Sequence, residues 1–220
     1  MDTQKTKIKT KIIKGVMTTT NSSTIKVQKR DGRLEPLDIN KIHFVVEEAC
    51  EGLPGVSASQ IEMNANIQFY DGMTTKDIQN VLVRSANDLI SLEAPNYQYA
   101  AARLLSYDVR KEAHGQYEYI PLVKLVLRNI RLGVYDKGII EKYTKTDLKK
   151  FNTWIKRDRD LNFTYAGLRQ VVDKYLVQDR SSGQIYETPQ DMYMMIAATL
   201  FADYPTKTRM TYVKKYYDAI

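Results

Sequence analysis

The chain has 220 residues, 43% hydrophobic and 27% charged, an ordinary balance for one large or two small globular domains. No apolar run reaches membrane-spanning length and no hydrophobic stretch follows the basic N-terminus, so neither a span nor a secretory leader is expected, and the chain reads as cytoplasmic. The net charge of +7 is confined to residues 1–30, where eight basic side chains meet only Asp2; the balanced remainder argues against a nucleic-acid footprint on the folded body.

Residues 1–24 are polar, rich in Thr and Lys and without a usable period, and read as a disordered basic tail. From Val27 to Lys41, VQKRDGRLEPLDINK reads strand, turn, strand, helix start. Asp31-Gly32 predicts a two-residue type I′ turn, because both central positions need φ > 0. The helix begins near Asp38, whose carboxylate can cap its first amides, and Ile42, Val45, Val46, Ala49 and Cys50 recur at helical spacing. Cys50, the single cysteine, reads as a small buried hydrophobe and excludes an internal disulfide or a Cys-x-x-Cys site. Lys29, Arg30 and Lys41 then lie on a strand end and a first helical turn that can face each other. An anion fits between them, since free N–H groups and the positive end of the macrodipole favour negative charge there. Strand-turn-helix units are common, so spacing alone leaves a purely structural role open.

Ser57-x-x-Gln60 resembles a capping box that opens a second helix, to about Gln68. A loop at 69–72 follows, and Thr74 or Thr75 caps a third helix whose apolar set is Ile78, Val81, Leu82, Ala86, Leu89 and Ile90. Pro95 suits the first turn of a fourth helix, which carries Tyr97, Ala101, Leu104 and Leu105 inward, sets Asp108 and Lys111 on one face, and ends at Gly115. A hairpin with four helices thus spans residues 25–114. In the second half, a helix runs from Pro121 to about Leu132 and another from Thr146 to Arg157. The charge run at 156–160 reads as a solvated or self-paired cluster. Residues 165–175 are helical, a short hairpin turns at 179–184, and Thr188-Pro189 opens a Met-rich helix whose methionines read as core filling. A last helix follows Pro205 and ends in Tyr216, Tyr217 and Ile220. The histidines, His43 and His114, have no nucleophile beside them and read as surface residues.

Six segments in order carry a family resemblance: KRDG at 29–32 with Glu35, Asp38 and Lys41; YDGMTT at 70–75; APNYQYAAARL at 94–104; RKEAHGQYE at 110–118; RDRDLNFTYA at 157–166; and KYLVQDRSSGQIYETPQ at 174–190. Over about residues 25–220 the chain resembles the N-terminal part of the class I ribonucleotide reductase large subunit. The resemblance implies a mainly α (α+β) architecture: an ATP-cone at 25–114, a β-hairpin plus four helices, followed by a helical domain at 115–220 with a short β-hairpin. It implies an overall-activity site for ATP or dATP with Mg²⁺. Lys29, Arg30, Lys41 and Lys111 would surround the phosphates. Glu35, Pro36, Leu37, Asp38, Ile39 and Asn40 would lie along adenine and ribose. Val27, Ile42 and Phe69 would be apolar walls or simply core, and Thr75 a hydroxyl partner. Three positions depart from relatives that dATP inhibits strongly: Asp38 stands where an amide is usual, and Gln79 and Asp108 where histidines often sit. Asp38 can accept but not donate at neutral pH, so weakened dATP discrimination or inhibition is expected.

The family's chemistry needs a thiyl-forming cysteine and a reducing cysteine pair on a ten-stranded barrel, which one cysteine cannot supply. No residue of this chain is therefore expected to be catalytic or a metal ligand. The simplest expectation is a split large subunit, inactive alone, whose companion chain carries the barrel and docks from about residue 115 onward. The radical-generating small subunit, with its metal-radical cofactor, is the further partner implied for deoxyribonucleotide synthesis. The alternatives are a degenerate fragment or a freestanding ATP-cone nucleotide sensor. A zinc-ribbon regulator is excluded by the lack of four cysteines.

Overall fold

The computed structural model describes residues 25–220; the tail expected at 1–24 lies outside the described residues. Strand β1 (Lys26–Gln28) pairs antiparallel with β2 (Leu34–Pro36), Val27 opposite Glu35, and parallel with β3 (Met73–Thr74), Val27 opposite Met73. The sheet order is β2-β1-β3. The third strand was not expected: two residues are too few for a period. Its parallel register is instead fixed from outside, by the Gly72 N–H donating to the Lys26 carbonyl at 2.8 Å and the Lys26 N–H donating to Asp71 Oδ1 at 2.8 Å.

The β1–β2 turn corrects the type I′ expectation. Only Gly32 has positive φ, +84°, and its N–H donates to the Lys29 carbonyl while the Lys29 N–H donates to that of Arg33. This is a three-residue loop, a tight turn followed by a left-handed glycine, and it asks nothing unusual of Asp31. Asp31 is free to bind the Arg33 guanidinium at 2.8 Å.

Four helices complete the first half: α1 (Ile39–Cys50), α2 (Ala58–Asn66), α3 (Thr75–Asn87) and α4 (Tyr97–His114). Asp38 caps α1 through the amides of Asn40 and Lys41, and Thr74 caps α3. The capping box expected at Ser57 is bridged. The Ser57 hydroxyl takes the Gln60 amide, but the Ser57 N–H donates to the Tyr97 hydroxyl, which itself donates to Gln60 Oε1. Helix α3 ends before Leu89 and Ile90, so those two do not belong to its buried face as expected, and Ile90 is exposed. Helix α4 ends at Gly115, φ +73°, as read.

Beyond it lie α5 (Leu122–Arg131), α6 (Gly138–Lys142), α7 (Lys145–Trp154), a 3₁₀ turn (Arg157–Asn162), α8 (Tyr165–Lys174), α9 (Pro189–Leu200) and α10 (Thr206–Ala219). Helix α6 and the 3₁₀ turn were not expected, being five and six residues long, too short for a readable period. Helix α7 starts one residue early, because Thr144 and Asp147 form the reciprocal cap. It stops at Trp154 rather than Arg157. The expected hairpin at 176–186 is a single bridge, Gln178 to Ile185, around Gly183.

The core falls into two clusters. The first gathers Val27, Val46, Ile61, Leu82, Leu104 and Leu105, and recruits Leu168, Val171, Val172 and Leu176 from far along the chain, so α8 packs in the same core as α4. The second holds Leu122, Leu125, Leu148, Phe151, Met194 and Tyr217. Cys50 packs partly buried against the first cluster, and burial pushes its thiol up to about 11. The Met-rich helix is core only on one side: Met192 and Met194 are buried, while Ile196 and Leu200 are exposed.

The charge run at 156–160 is the clearest correction. It is not solvated. Arg157 reaches Asp191 at 2.6 Å and the Thr188 hydroxyl at 2.9 Å, and Arg159 donates to the carbonyls of Tyr217 and Asp218. Asp160 is buried, accepts from Gln190 Nε2 at 3.0 Å, and is pushed up to about 7 by that burial. His114 is likewise not a surface residue: it is 4% exposed, with Nε2 3.2 Å from Asp191 Oδ2 and Nδ1 accepting the Ile120 N–H. His43 is exposed as expected, between Glu47 and Glu62.

Candidate functional site

Three of the four cations picked out in the sequence, Lys29, Arg30 and Lys111, lie where the hairpin loop meets the last turns of α4. Arg30 donates to the Lys111 carbonyl at 3.0 Å and lies 3.7 Å from Asp108 Oδ1. Lys111 is half-buried, and burial with the positive charges of Arg30 and Lys29 lowers its pKa against the opposing pull of Asp108. A half-buried lysine crowded by other positive charges forms a site that an anion would relieve. Lys76 of α3 adds a fourth cation nearby, bound to Glu112 at 3.3 Å, which sequence reasoning had not singled out. Its signal was its place at the start of α3, one residue past Thr75.

Helix ends explain why the site forms here. The last carbonyls of a helix have no partner within it and attract donors. Three consecutive carbonyls at the end of α4 each take a side chain from elsewhere: Lys111 from Arg30, Glu112 from Gln184 at 3.2 Å, and Ala113 from Arg128 at 2.6 Å. Arg110, on the same turn, lies over the Tyr117 ring at 4.0 Å, and the Tyr117 hydroxyl is bound to Glu48. The candidate site and the second half of the molecule therefore hold the same helical turn.

The other residues named from the sequence are distributed as follows. Lys29 pairs with Glu35 at 3.3 Å, and Glu35 also meets Arg33 at 3.4 Å. Lys41 pairs with Asp38 at 3.5 Å, and the same carboxylate takes the first amides of α1. The N-terminus of α1, where the sequence suggested an anion, is thus already capped by the chain's own carboxylate. Pro36, Ile39 and Asn40 are exposed along the strand-to-helix segment and Leu37 turns toward the core. Val27 is core, and Ile42 and Phe69 pack against it. Thr75 is half-buried at the start of α3. Gln79 is buried and donates to the Leu104 carbonyl at 2.8 Å, joining α3 to α4.

Asp108 is 9% exposed. Burial and the neighbouring Glu112 raise its pKa, opposed by Lys76, Arg30 and Lys111. Among the described residues no group of three or more His, Cys, Asp or Glu side chains is placed to hold a metal, and no helix is long and apolar enough to cross a membrane.

A second feature lies far from the cations. An apolar groove of about 860 Å³ opens between the 134–142 segment, α8 and α9, lined by Tyr135, Ile139, Tyr175, Met195, Ile196 and Leu200 among others. Its rim is unusually apolar for a surface, with Tyr175 60% and Leu200 54% exposed. At its floor Glu187 accepts from the Tyr135 hydroxyl and from the Val177 N–H, and burial pushes its carboxyl up to about 7.

The ATP cone domain model matches residues 25–112, the part that holds the cation cluster, and the ribonucleotide reductase all-alpha domain model matches residues 161–220, the part that builds one wall of the groove. The chain is 47% identical over 199 residues to the ribonucleoside-diphosphate reductase 1 subunit alpha of Salmonella typhimurium, covering 90% of this chain and 26% of that protein. It is 47% identical over 194 residues to its Escherichia coli counterpart, covering 88% and 26%, and 39% identical over 198 residues to the subunit alpha of Enterobacteria phage T4, covering 89% and 26%. The chain spans about a quarter of the length of the curated relatives it matches. With both domains in order, the chain belongs to the ribonucleotide reductase large-subunit family, as an N-terminal, ATP-cone-bearing part of it.

Proposed function

We propose that this chain is the regulatory N-terminal portion of a ribonucleoside-diphosphate reductase. Its cone binds ATP or dATP as overall-activity effector, and it works with a catalytic barrel carried by a companion polypeptide. The observation that carries the effector site is the convergence of Lys29, Arg30 and Lys111 on one turn of α4, within the residues matched by the ATP cone. The chemistry fits a triphosphate: three cations at close quarters, one half-buried, with charge-assisted bonds worth roughly 1.5–3 kcal/mol each. Micromolar binding corresponds to about 8 kcal/mol, which three such bonds near the upper value supply. Glu35 and the 36–40 segment lie along adenine and ribose, Lys41 and Thr75 close the site, and Mg²⁺ arrives with the nucleotide. Asp38, Gln79 and Asp108 weaken discrimination against dATP or the inhibition that follows it.

The catalytic portion packs on the apolar groove. Support comes from the exposed Ile196, Leu200 and Tyr175 rim, from a matched segment that builds one wall, and from relatives that continue for about three-quarters of their length beyond the matched part. Neither a thiyl-forming cysteine nor a reducing pair can come from Cys50, half-buried in the first core with its thiol held protonated. The radical-generating small subunit is the further partner. Calorimetric titration of the chain with MgATP and MgdATP tests the effector site: binding abolished in K29A/K111A supports it, and unchanged affinity refutes it. Copurification from the native host tests the companion. A copurifying chain with the catalytic cysteines, released by Leu200→Lys, supports it; a lone chain whose addition restores no reductase activity refutes it and favours a freestanding sensor.

A further inference from the structure

Apart from Lys111, each cation around the phosphate site already has a carboxylate of its own or a helix carbonyl. Lys29 has Glu35, Lys41 has Asp38, Lys76 has Glu112, and Arg30 has both Asp108 and the Lys111 carbonyl. Two of these acids, Glu35 and Asp38, are surface partners, their side chains 38% and 44% exposed, while Glu112 is largely buried beside Lys76. Asp108 differs. It is 9% exposed, sits mid-helix on α4 one turn before Lys111, and cannot leave without unwinding the helix that carries both.

We propose that Asp108 is a built-in counter-anion that holds Arg30 against α4, so that an incoming triphosphate must draw Arg30 away from it and bind beside a carboxylate that stays in place. Asp108 thereby sets the affinity of the effector site, as a residue that weakens it. The inference rests on the effector reading above. Four charged groups face the carboxylate: Arg30 from the hairpin loop, Lys76 from α3, and Lys111 and Glu112 from α4. Two effects act in one direction. The phosphates meet a carboxylate that Arg30 no longer balances, held in a poorly hydrated place, where repulsion is less screened than at an open surface. Arg30 also gives up an ion pair before it can make a new one.

The test uses the full chain, titrated by calorimetry with MgATP, MgAMP and inorganic tripolyphosphate. Asp108→Asn keeps the shape and removes the charge; Asp108→Ser serves if the amide disturbs folding, with thermal melts as the control. The expected result is that either variant binds MgATP and tripolyphosphate about tenfold more tightly, a factor equivalent to about 1.4 kcal/mol, and gains measurable MgAMP binding. Equal affinity in the native chain and both variants, or weaker binding in the variants, overturns the counter-anion role while leaving the effector reading intact. No binding of any probe by the native chain or the variants overturns both.

Discussion

Replacing Asp191 by Ala removes the acceptor at the most heavily used buried position of the chain. Asp191 is fully buried at the start of α9. Its Oδ2 accepts from the Thr188 N–H at 3.2 Å and hydroxyl at 2.6 Å and lies 3.2 Å from His114 Nε2, while Oδ1 accepts from Arg157 at 2.6 Å. Burial works to raise its pKa, yet the hydrogen bond from His114 and the charge of Arg157 outweigh it and hold the carboxyl below the usual range. The variant leaves a guanidinium, an imidazole and a helix cap without their acceptor. Breaking a buried charge pair by removing one partner costs about 3–5 kcal/mol, and a chain of this size loses roughly 2–4 °C of Tm per kcal/mol. A fall of roughly 10 °C is expected in a melt followed by circular dichroism, with urea unfolding giving the free energy. Asp203→Ala, which breaks only the exposed Lys142 pair, is the control and should not move the midpoint. If Asp191→Ala loses under about 1 kcal/mol, the scale of an exposed ion pair, the reasoning that α4, the 157–160 run and α9 are locked through this carboxylate is wrong.

Other outcomes follow from the same physics. Asp160 has a folded pKa of about 7, raised by burial above its unfolded value near 3.9. Its protonated form stabilises the fold, so that contribution is present below pH about 4 and is lost as pH rises to 7. Asp160→Asn, which keeps an acceptor for Gln190, should flatten the fall in Tm between pH 5 and 8; an unchanged slope counts against it. Gly32→Ala places a side chain at φ +84° in the hairpin loop and should cost about 1–2 kcal/mol, read from urea midpoints; a neutral effect would mean the turn reshapes freely.

Legibility in the sequence followed length and locality. Helices of ten or more residues with an apolar stripe and a Ser, Thr or Asp cap were readable, because periodicity and capping are local signals. Asp38, Thr74 and Gly115 all stand where the cap rules put them. What escaped depends on partners far away in sequence. Met73–Thr74 becomes a strand only because β1 lies beside it, and Arg157 is pinned only because Asp191 arrives 34 residues later. The site divided in the same way. Lys29 and Arg30 were named from strand, turn and charge and Lys111 joined them only through the family motif; the three lie close together. Residue types alone placed the anion at the start of α1, whose amides are taken by Asp38, rather than at the end of α4.

The end of α4 also fixes how an effector would be felt at a distance. Arg30, Gln184 and Arg128 hold three successive carbonyls of one turn, so whatever repositions Arg30 acts on a turn the second half also grips. Gln184 lies outside the named nucleotide-binding residues, yet it steadies the turn that presents Lys111. Its replacement by Ala should fray that turn and weaken ATP binding, since ordering a side chain and its turn on binding costs about 0.5–1.5 kcal/mol, or roughly three- to tenfold in affinity. Coupling between sites is reciprocal, so ATP must in turn raise hydrogen-exchange protection at residues 184–186, with the Tyr186 carbonyl held by Arg128 and Asn129. If Gln184→Ala binds ATP as tightly as the native chain while Lys111→Ala does not bind, the shared turn transmits nothing. Coupling between cone and helical half would then have to run through the other face of α4, where Leu168 and Val172 pack.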